Sequence, residues 1–184
     1  NWGGAAVDPE TGLMYIPSVT SPNVTALVPP PLPDSSDHLY IRGMPREVPM
    51  PGGLPLLKPP YGRITAIDMN TGEHAWMIPN GDARQAQQDQ IRNHPLLQGV
   101  PGVQANRGRS GHSVMVVTPN LLFASGQTAD DEWKLFAIDK RTGERVGAVP
   151  IPGSTRYGLS SWVHEGKQYI IIQLNSGLAA LALP

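Results

Sequence analysis

The stretch "GRITAIDMNTGEHAW", residues 62 to 76, decides how this chain is read. It has an echo at residues 134 to 147, "KLFAIDKRTGERVG". Both copies carry Ala-Ile-Asp, two variable residues and Thr-Gly-Glu, starting at Ala66 and Ala137. The acid ends a strand, and its carboxylate can accept hydrogen bonds from the N–H groups of the following turn. Gly72 and Gly143 can take positive φ at no steric cost. The chain then restarts as a neighbouring strand, and Trp76 follows ten residues after Ala66. An aromatic at a fixed offset from such a turn can lie across the next sheet and lock the pair. The turn therefore accounts for Asp68 and Asp139 as structural residues, without a catalytic part.

Working outward, short strands fill most of the chain. Residues 2–8 and 13–19 flank "DPETG" as a hairpin, and 62–68 and 73–79 form a second around "MNTG". "HSVMVVT", "LLFASGQ", "KLFAIDK", "ERVGAVPI", "GLSSWVH", "KQYIIIQL" and "GLAALALP" continue the series, for ten or eleven strands in all. Residues 20–61 hold eleven prolines within positions 21 to 60 and read as one long excursion without regular structure. Residues 82–93, "DARQAQQDQIRN", are good helix formers ending before His94-Pro95, and predict a short surface helix within a loop spanning 80–111.

Several strands, such as "VMVV", "LLFA" and "YIII", are apolar on both faces. A sheet with one wet face would alternate, so these sheets must be covered on both sides. A radial stack of small antiparallel sheets does this. Similar turns begin at Ala6, Ala66 and Ala137, intervals of 60 and 71 residues that the two long loops stretch beyond an ordinary blade repeat.

Composition sets the outer bounds. The 184 residues are 40% apolar and 16% charged with net charge −1, a globular composition without the basic footprint of a nucleic-acid binder. No apolar run is long enough to span a bilayer as a helix. Cysteine is absent, which excludes disulfides and thiolate metal sites. The opening "NWGGAAVD", with no Met and no leader, reads as the middle of a longer protein.

"AIDMNTGEHAW" resembles the tryptophan-docking motif of pyrroloquinoline quinone (PQQ)-dependent dehydrogenases. "NWGGAAVDPETGLMYIPS", "KPPYGRITAIDMNTGEHAWMIPNGD", "NHPLLQG" and "SSWVHEGKQYIII" resemble further segments of that family, in its order and over residues 1 to about 173, nearest the membrane-type glucose dehydrogenase branch. The resemblance implies an all-β partial β-propeller: residues 1–184 as the last two to three four-stranded antiparallel blades of an eight-bladed ring, completed by the remaining blades of the parent chain. It implies oxidation of a sugar (an aldose) or an alcohol with PQQ and Ca²⁺, electrons passing to an acceptor such as ubiquinone or cytochrome c, in the periplasm, with attachment to the inner membrane through a missing N-terminal region. It puts the Ca²⁺ ligands and the catalytic Asp upstream of Asn1, so that the chain alone is inactive. The alternative is a non-catalytic propeller of the same repeat acting as a binding or assembly scaffold. Two departures stand out. Gly147 occupies the place of Trp76 in the second repeat, and "LNSGLAALALP" replaces the Gly-rich segment the family carries after its "GKQY" strand.

The same resemblance nominates cofactor-binding residues. Asn1 matches an Asn near the quinone oxygens, where an amide can donate without titrating; the plainer reading is a strand-end residue. Trp2 would wall the cavity, and Trp162 would approach the cofactor end, each against an ordinary packing role. His112 can face the pocket or satisfy a local hydrogen bond. Arg107, Arg109 and Arg156 can meet an anion or simply sit in solvated loops. The five histidines show no ligand spacing, Asn23-Val24-Thr25 fits a glycosylation acceptor, and Asp130 and Asp131 read as a polar turn.

Overall fold

In the computed structural model, residues 4–32, 34–46, 48, 51–54, 56–103, 105–109 and 113–182 are described. Strands β1 (Ala6–Asp8) and β2 (Leu13–Val19) form the opening hairpin, and Gly12 takes φ 71° in its turn. After short strands β3 (Leu27–Val28) and β4 (Ile41–Arg42) come β5 (Gly62–Asp68) and β6 (His74–Pro79). Helix α1 (Gln85–Arg92) follows, inside the segment expected to be helical. Then come β7 (Met115–Val117), β8 (Leu121–Gln127), β9 (Trp133–Asp139) and β10 (Arg145–Pro150). The last three are β11 (Thr155–His164), β12 (Lys167–Leu174) and β13 (Gly177–Ala182).

These strands build two four-stranded antiparallel sheets, β1-β2-β5-β6 and β7-β8-β9-β10, and a third sheet β11-β12-β13. Strand β7 lies against β1 on one side and β11 on the other, so the first strands of the three sheets converge. The middle sheet is covered on both faces. Leu122, Ala124, Phe136 and Ile138 pack on Tyr15, Ile64 and Ala66 of the first sheet. Phe123 and Leu135 pack on Ile170, Ile172 and Leu174 of the third. Alternate residues of β8 and β9 thus serve two separate cores, which explains strands with apolar residues on both faces. This is the blade stacking of a partial β-propeller.

The repeated turn is built as expected. Asp68 accepts from the Asn70 N–H at 2.8 Å, and Asp139 from the N–H groups of Arg141 and Thr142 at 2.8 and 3.0 Å. Gly72 and Gly143 have φ of 75° and 78°. After each turn the ladder slips by one residue, so that Ala66 faces Trp76 and Ala137 faces Gly147. Such a bulge re-aims the next side chain. The Ala6 turn has a different place: it joins the first and second strands of its sheet, whereas the Ala66 turn joins the third and fourth. Only the 71-residue interval between Ala66 and Ala137 is therefore a blade repeat.

Residues 21–58 form a compact unit of their own. It contains the β3–β4 ladder, an isolated bridge between Val24 and Arg46 and a short 3₁₀ turn at Pro51–Gly53. The expectation of no regular structure is corrected to that extent: Leu27-Val28 and Ile41-Arg42 contain no proline and keep the N–H groups a ladder needs. Where the main unit releases this segment, Thr20 N–H donates to the Tyr61 carbonyl at 2.8 Å, beside the last ladder pair Val19–Gly62.

Candidate functional site

The strongest constellation is the junction between the first two sheets. Trp76, half-buried, reaches from β6 across the turn of the middle sheet, and its Nε1 donates to the Lys140 carbonyl at 3.2 Å. Tyr15, fully buried, donates its hydroxyl to the same carbonyl at 3.0 Å. The two rings lie 5.7 Å apart. A methyl group on Gly143 would come within 2.8 Å of the indole, so only glycine lets the tryptophan seat. The docking role read from the repeat is the observed one.

Sequence reasoning missed the ion pair beside it. Lys140 Nζ meets the Asp8 carboxylate at 2.6 Å, with both side chains almost fully buried. Thr11 Oγ1 and the Glu10 N–H also donate to that carboxylate, at 2.6 and 3.1 Å. The Lys140 hydrogen bond, followed by that of Thr11, holds the Asp8 pKa down at about 2 against the opposing effect of burial. Burial, with Asp8 as neighbour, pushes the Tyr15 hydroxyl up to about 12. Lys140 occupies a variable position of "AIDxxTGE", and its partner stands on a distant strand, so no local pattern reports it. A cleft of about 170 Å³ borders Asp8, but Thr11 and Lys140 already engage its carboxylate.

A second polar cluster ties the segment after β6 to the middle sheet. Arg145 donates to Asp82 at 2.8 Å and to the carbonyls of Pro79 and Gly81 at 3.0 and 2.7 Å, with its guanidinium 4.4 Å over the Phe136 ring. Arg109 donates to the Thr128 carbonyl and to Asp131, which also accepts from Arg84. Arg84, then Arg109, hold the Asp131 carboxyl below its usual range. Asp131 is thus the polar turn residue expected, and Arg109 serves it rather than solvent. Asn106 accepts from the N–H groups of Ala83 and Gly108 and donates to Asp82. Gly62 and Gly108 let backbone meet backbone here: a side chain on Gly62 would collide with the Arg109 carbonyl, and one on Gly108 with the carbonyl of Gly62.

Of the nominated cofactor residues Asn1, Trp2 and Trp162, Trp162 lies among the described residues. Asn1, Trp2 and His112 lie outside the described residues, as does the side chain of Arg156. Trp162 stacks on Tyr169, its cross-strand partner, with ring centroids 5.0 Å apart. Ile170, Ile172 and Leu174 face the middle sheet, so the pleat turns Tyr169 and Trp162 to the opposite face, where Trp162 is 38% exposed. Asn23 accepts from Thr25 Oγ1 at 3.1 Å within an exposed stretch. Among the described residues no three His, Cys, Asp or Glu side chains gather where a metal ion could be held. A carboxylate-rich Ca²⁺ site is therefore not found among the described residues, and no catalytic step is assigned to them.

Residues 1–170 match the family "Glucose/ethanol/alcohol dehydrogenase, beta-propeller domain" of PQQ proteins. The chain is 28% identical over 198 aligned residues to the glycerol dehydrogenase large subunit of Gluconobacter thailandicus, covering 94% of this chain and 25% of that protein. It is 24% identical over 208 to quinoprotein glucose dehydrogenase A of Acinetobacter calcoaceticus, covering 100% and 24%. A solved quinohemoprotein alcohol dehydrogenase from Pseudomonas putida HK5 shares the fold, with TM-score 0.55 and 18% identity over 97% of this chain and 22% of that one. The chain thus spans about a quarter of the length of these relatives.

Proposed function

We propose, from the premise that this chain belongs to the PQQ-dependent glucose/ethanol/alcohol dehydrogenase β-propeller family, that it supplies consecutive blades to a dehydrogenase that oxidises an aldose or a polyol-type alcohol with PQQ and Ca²⁺ and passes electrons to a quinone or cytochrome acceptor. The observation that carries this reading is the docked tryptophan. Trp76, Lys140 and Gly143 join two blades through the repeat that marks the family, within a match covering residues 1–170. The relatives named as glycerol and glucose dehydrogenases support the substrate class. A periplasmic setting is part of the same proposal.

The duty proposed for this chain is to hold the ring together and to lend the cofactor cavity Asn1 and Trp2. That assignment rests on their sequence match. For Trp162 the match competes with the stack on Tyr169, which already gives the indole a packing partner. The quinone supplies the hydride acceptor when bound.

The test is dye-linked oxidation of glucose, glycerol, quinate and ethanol by the intact protein, with and without PQQ and Ca²⁺, alongside PQQ binding followed by absorbance. Saturable turnover that depends on PQQ is expected. PQQ neither bound nor needed, with the protein folded, would overturn the reading in favour of the scaffold propeller. Asn1→Asp is expected to lower turnover by ~10²–10³, more than Asn1→Ser, because a carboxylate repels developing negative charge and donates nothing. Wild-type turnover in Asn1→Asp would remove Asn1 from the cavity.

A further inference from the structure

The lock between the first two sheets has a general component and a specific one. The general component is backbone. Trp76 and Tyr15 donate to the Lys140 carbonyl, a group every residue owns, and the indole needs only Gly143 beside it. The turn of the first sheet repeats that seat bond for bond. Gly72 N–H donates to the Asp68 carbonyl at 2.7 Å, and Gly143 N–H to the Asp139 carbonyl at 2.9 Å. Glu73 N–H donates to Thr71 Oγ1 and Glu144 N–H to Thr142 Oγ1, both at 3.2 Å. Both glycines are left-handed, at φ 75° and 78°. An indole choosing by these features alone would not tell one turn from the other.

The specific component is the side chain that follows the aspartate: Met69 in one turn, Lys140 in the other. Met69 is uncharged and 55% exposed, whereas Lys140 is buried with its Nζ 2.6 Å from the buried Asp8 carboxylate. Asp8 ends β1, on the sheet that also sends Trp76 and Tyr15. The first sheet therefore reads Lys140 twice, its carbonyl through two aromatic residues and its side chain through an acid. Set against a turn of the Met69 kind, Asp8 keeps Thr11 and the Glu10 N–H but loses its cation. A buried carboxylate without its cation is strongly unfavourable, while the intact pair gains little net, because burying two charges offsets most of their attraction. A contact that adds little to the right pairing and penalises the wrong one confers specificity, as a single buried polar residue does for coiled-coil register. We propose that the Asp8–Lys140 pair is the element by which the first sheet selects its neighbour, the partner recognised being a blade turn with a cation directly after its aspartate. This selection is made inside the junction of two sheets and needs no part of the dehydrogenase chemistry.

The test is ¹⁹F NMR of the intact protein labelled with 5-fluorotryptophan, before and after refolding from urea. The Trp76 resonance is assigned by its loss in Trp76→Phe. The wild type is expected to return with a single Trp76 resonance. Asp8→Asn with Lys140→Met removes both charges and leaves the backbone seat and the indole in place. That variant is expected to keep a cooperative melting transition and yet to refold with further Trp76 resonances, as the ring settles in turns it should have refused. Misassembly of this kind is the characteristic failure of repeat proteins. Asp8→Leu with Lys140→Leu puts the same question should the first charge-free pair not fold. Two outcomes overturn the proposal. One is a folded charge-free pair that returns with a single Trp76 resonance at the yield of the wild type. The other is loss of folding in both pairs without a new resonance, which would make the ion pair a stabilising contact and nothing more.

Discussion

Removing the indole of Trp76 tests the blade junction directly. Full burial of a tryptophan is worth about 3–5 kcal/mol against alanine. Trp76 is half-buried, so the apolar share is nearer ~2 kcal/mol, and the Nε1 hydrogen bond to the Lys140 carbonyl adds ~1 kcal/mol. The carbonyl keeps the Tyr15 hydroxyl, so no buried acceptor is orphaned. Trp76→Ala should therefore cost about 2–3 kcal/mol, and Trp76→Phe, which keeps a ring and loses the N–H, ~1 kcal/mol. Gly143 supplies the cross-check. Alanine there meets both a left-handed backbone and the indole edge at 2.8 Å. In a Trp76→Ala background the second penalty disappears, so the two changes should couple by roughly 1 kcal/mol in a double-mutant cycle. The assay is urea denaturation of the intact protein with each variant. A cost below ~1 kcal/mol for Trp76→Ala, or strict additivity with Gly143→Ala, would refute the docking argument.

Lys140→Ala should cost about 3–5 kcal/mol by stranding the Asp8 carboxylate, while Asp8→Asn with Lys140→Met should recover most of it; equilibrium unfolding separates the two. Because folding lowers the Asp8 pKa from 3.8 to about 2, its contribution is complete above pH ~4 and is lost as pH falls through that window; Asp8→Asn should flatten the acid limb of a stability–pH profile there. Gly62→Ala should fail to fold or lose more than ~4 kcal/mol, read as soluble yield and melting temperature, since its methyl would meet the Arg109 backbone. Arg145→Lys keeps the charge but loses the fork shared by Asp82, Pro79 and Gly81, and should cost ~1–2 kcal/mol by thermal denaturation.

The strands were legible because their apolar pattern is local and doubly faced: β8 and β12 fall where "LLFASGQ" and "KQYIIIQL" place them. The Trp76 lock was legible because the turn is repeated, and repetition converts a packing event into a pattern. What escaped was non-local. Lys140 carries no signal in its own turn, and its value comes from Asp8, on another sheet. The Ala6 turn misled for the opposite reason: Asp-Thr-Gly chemistry suits any tight strand connection, so local likeness did not reveal which strands it joins. In the proline-rich stretch, composition hid a two-rung ladder that needs only two dipeptides free of proline.

The pinned exit and return at Thr20 and Tyr61 make residues 21–58 an exchangeable cassette. The strands on either side close their ladder at Val19 and Gly62. Doubling the threaded length adds only about 0.6 kcal/mol of closure entropy. A foreign domain or a short reverse turn spliced between these two anchors would inherit a ready-made port, and the blade would hardly register the difference.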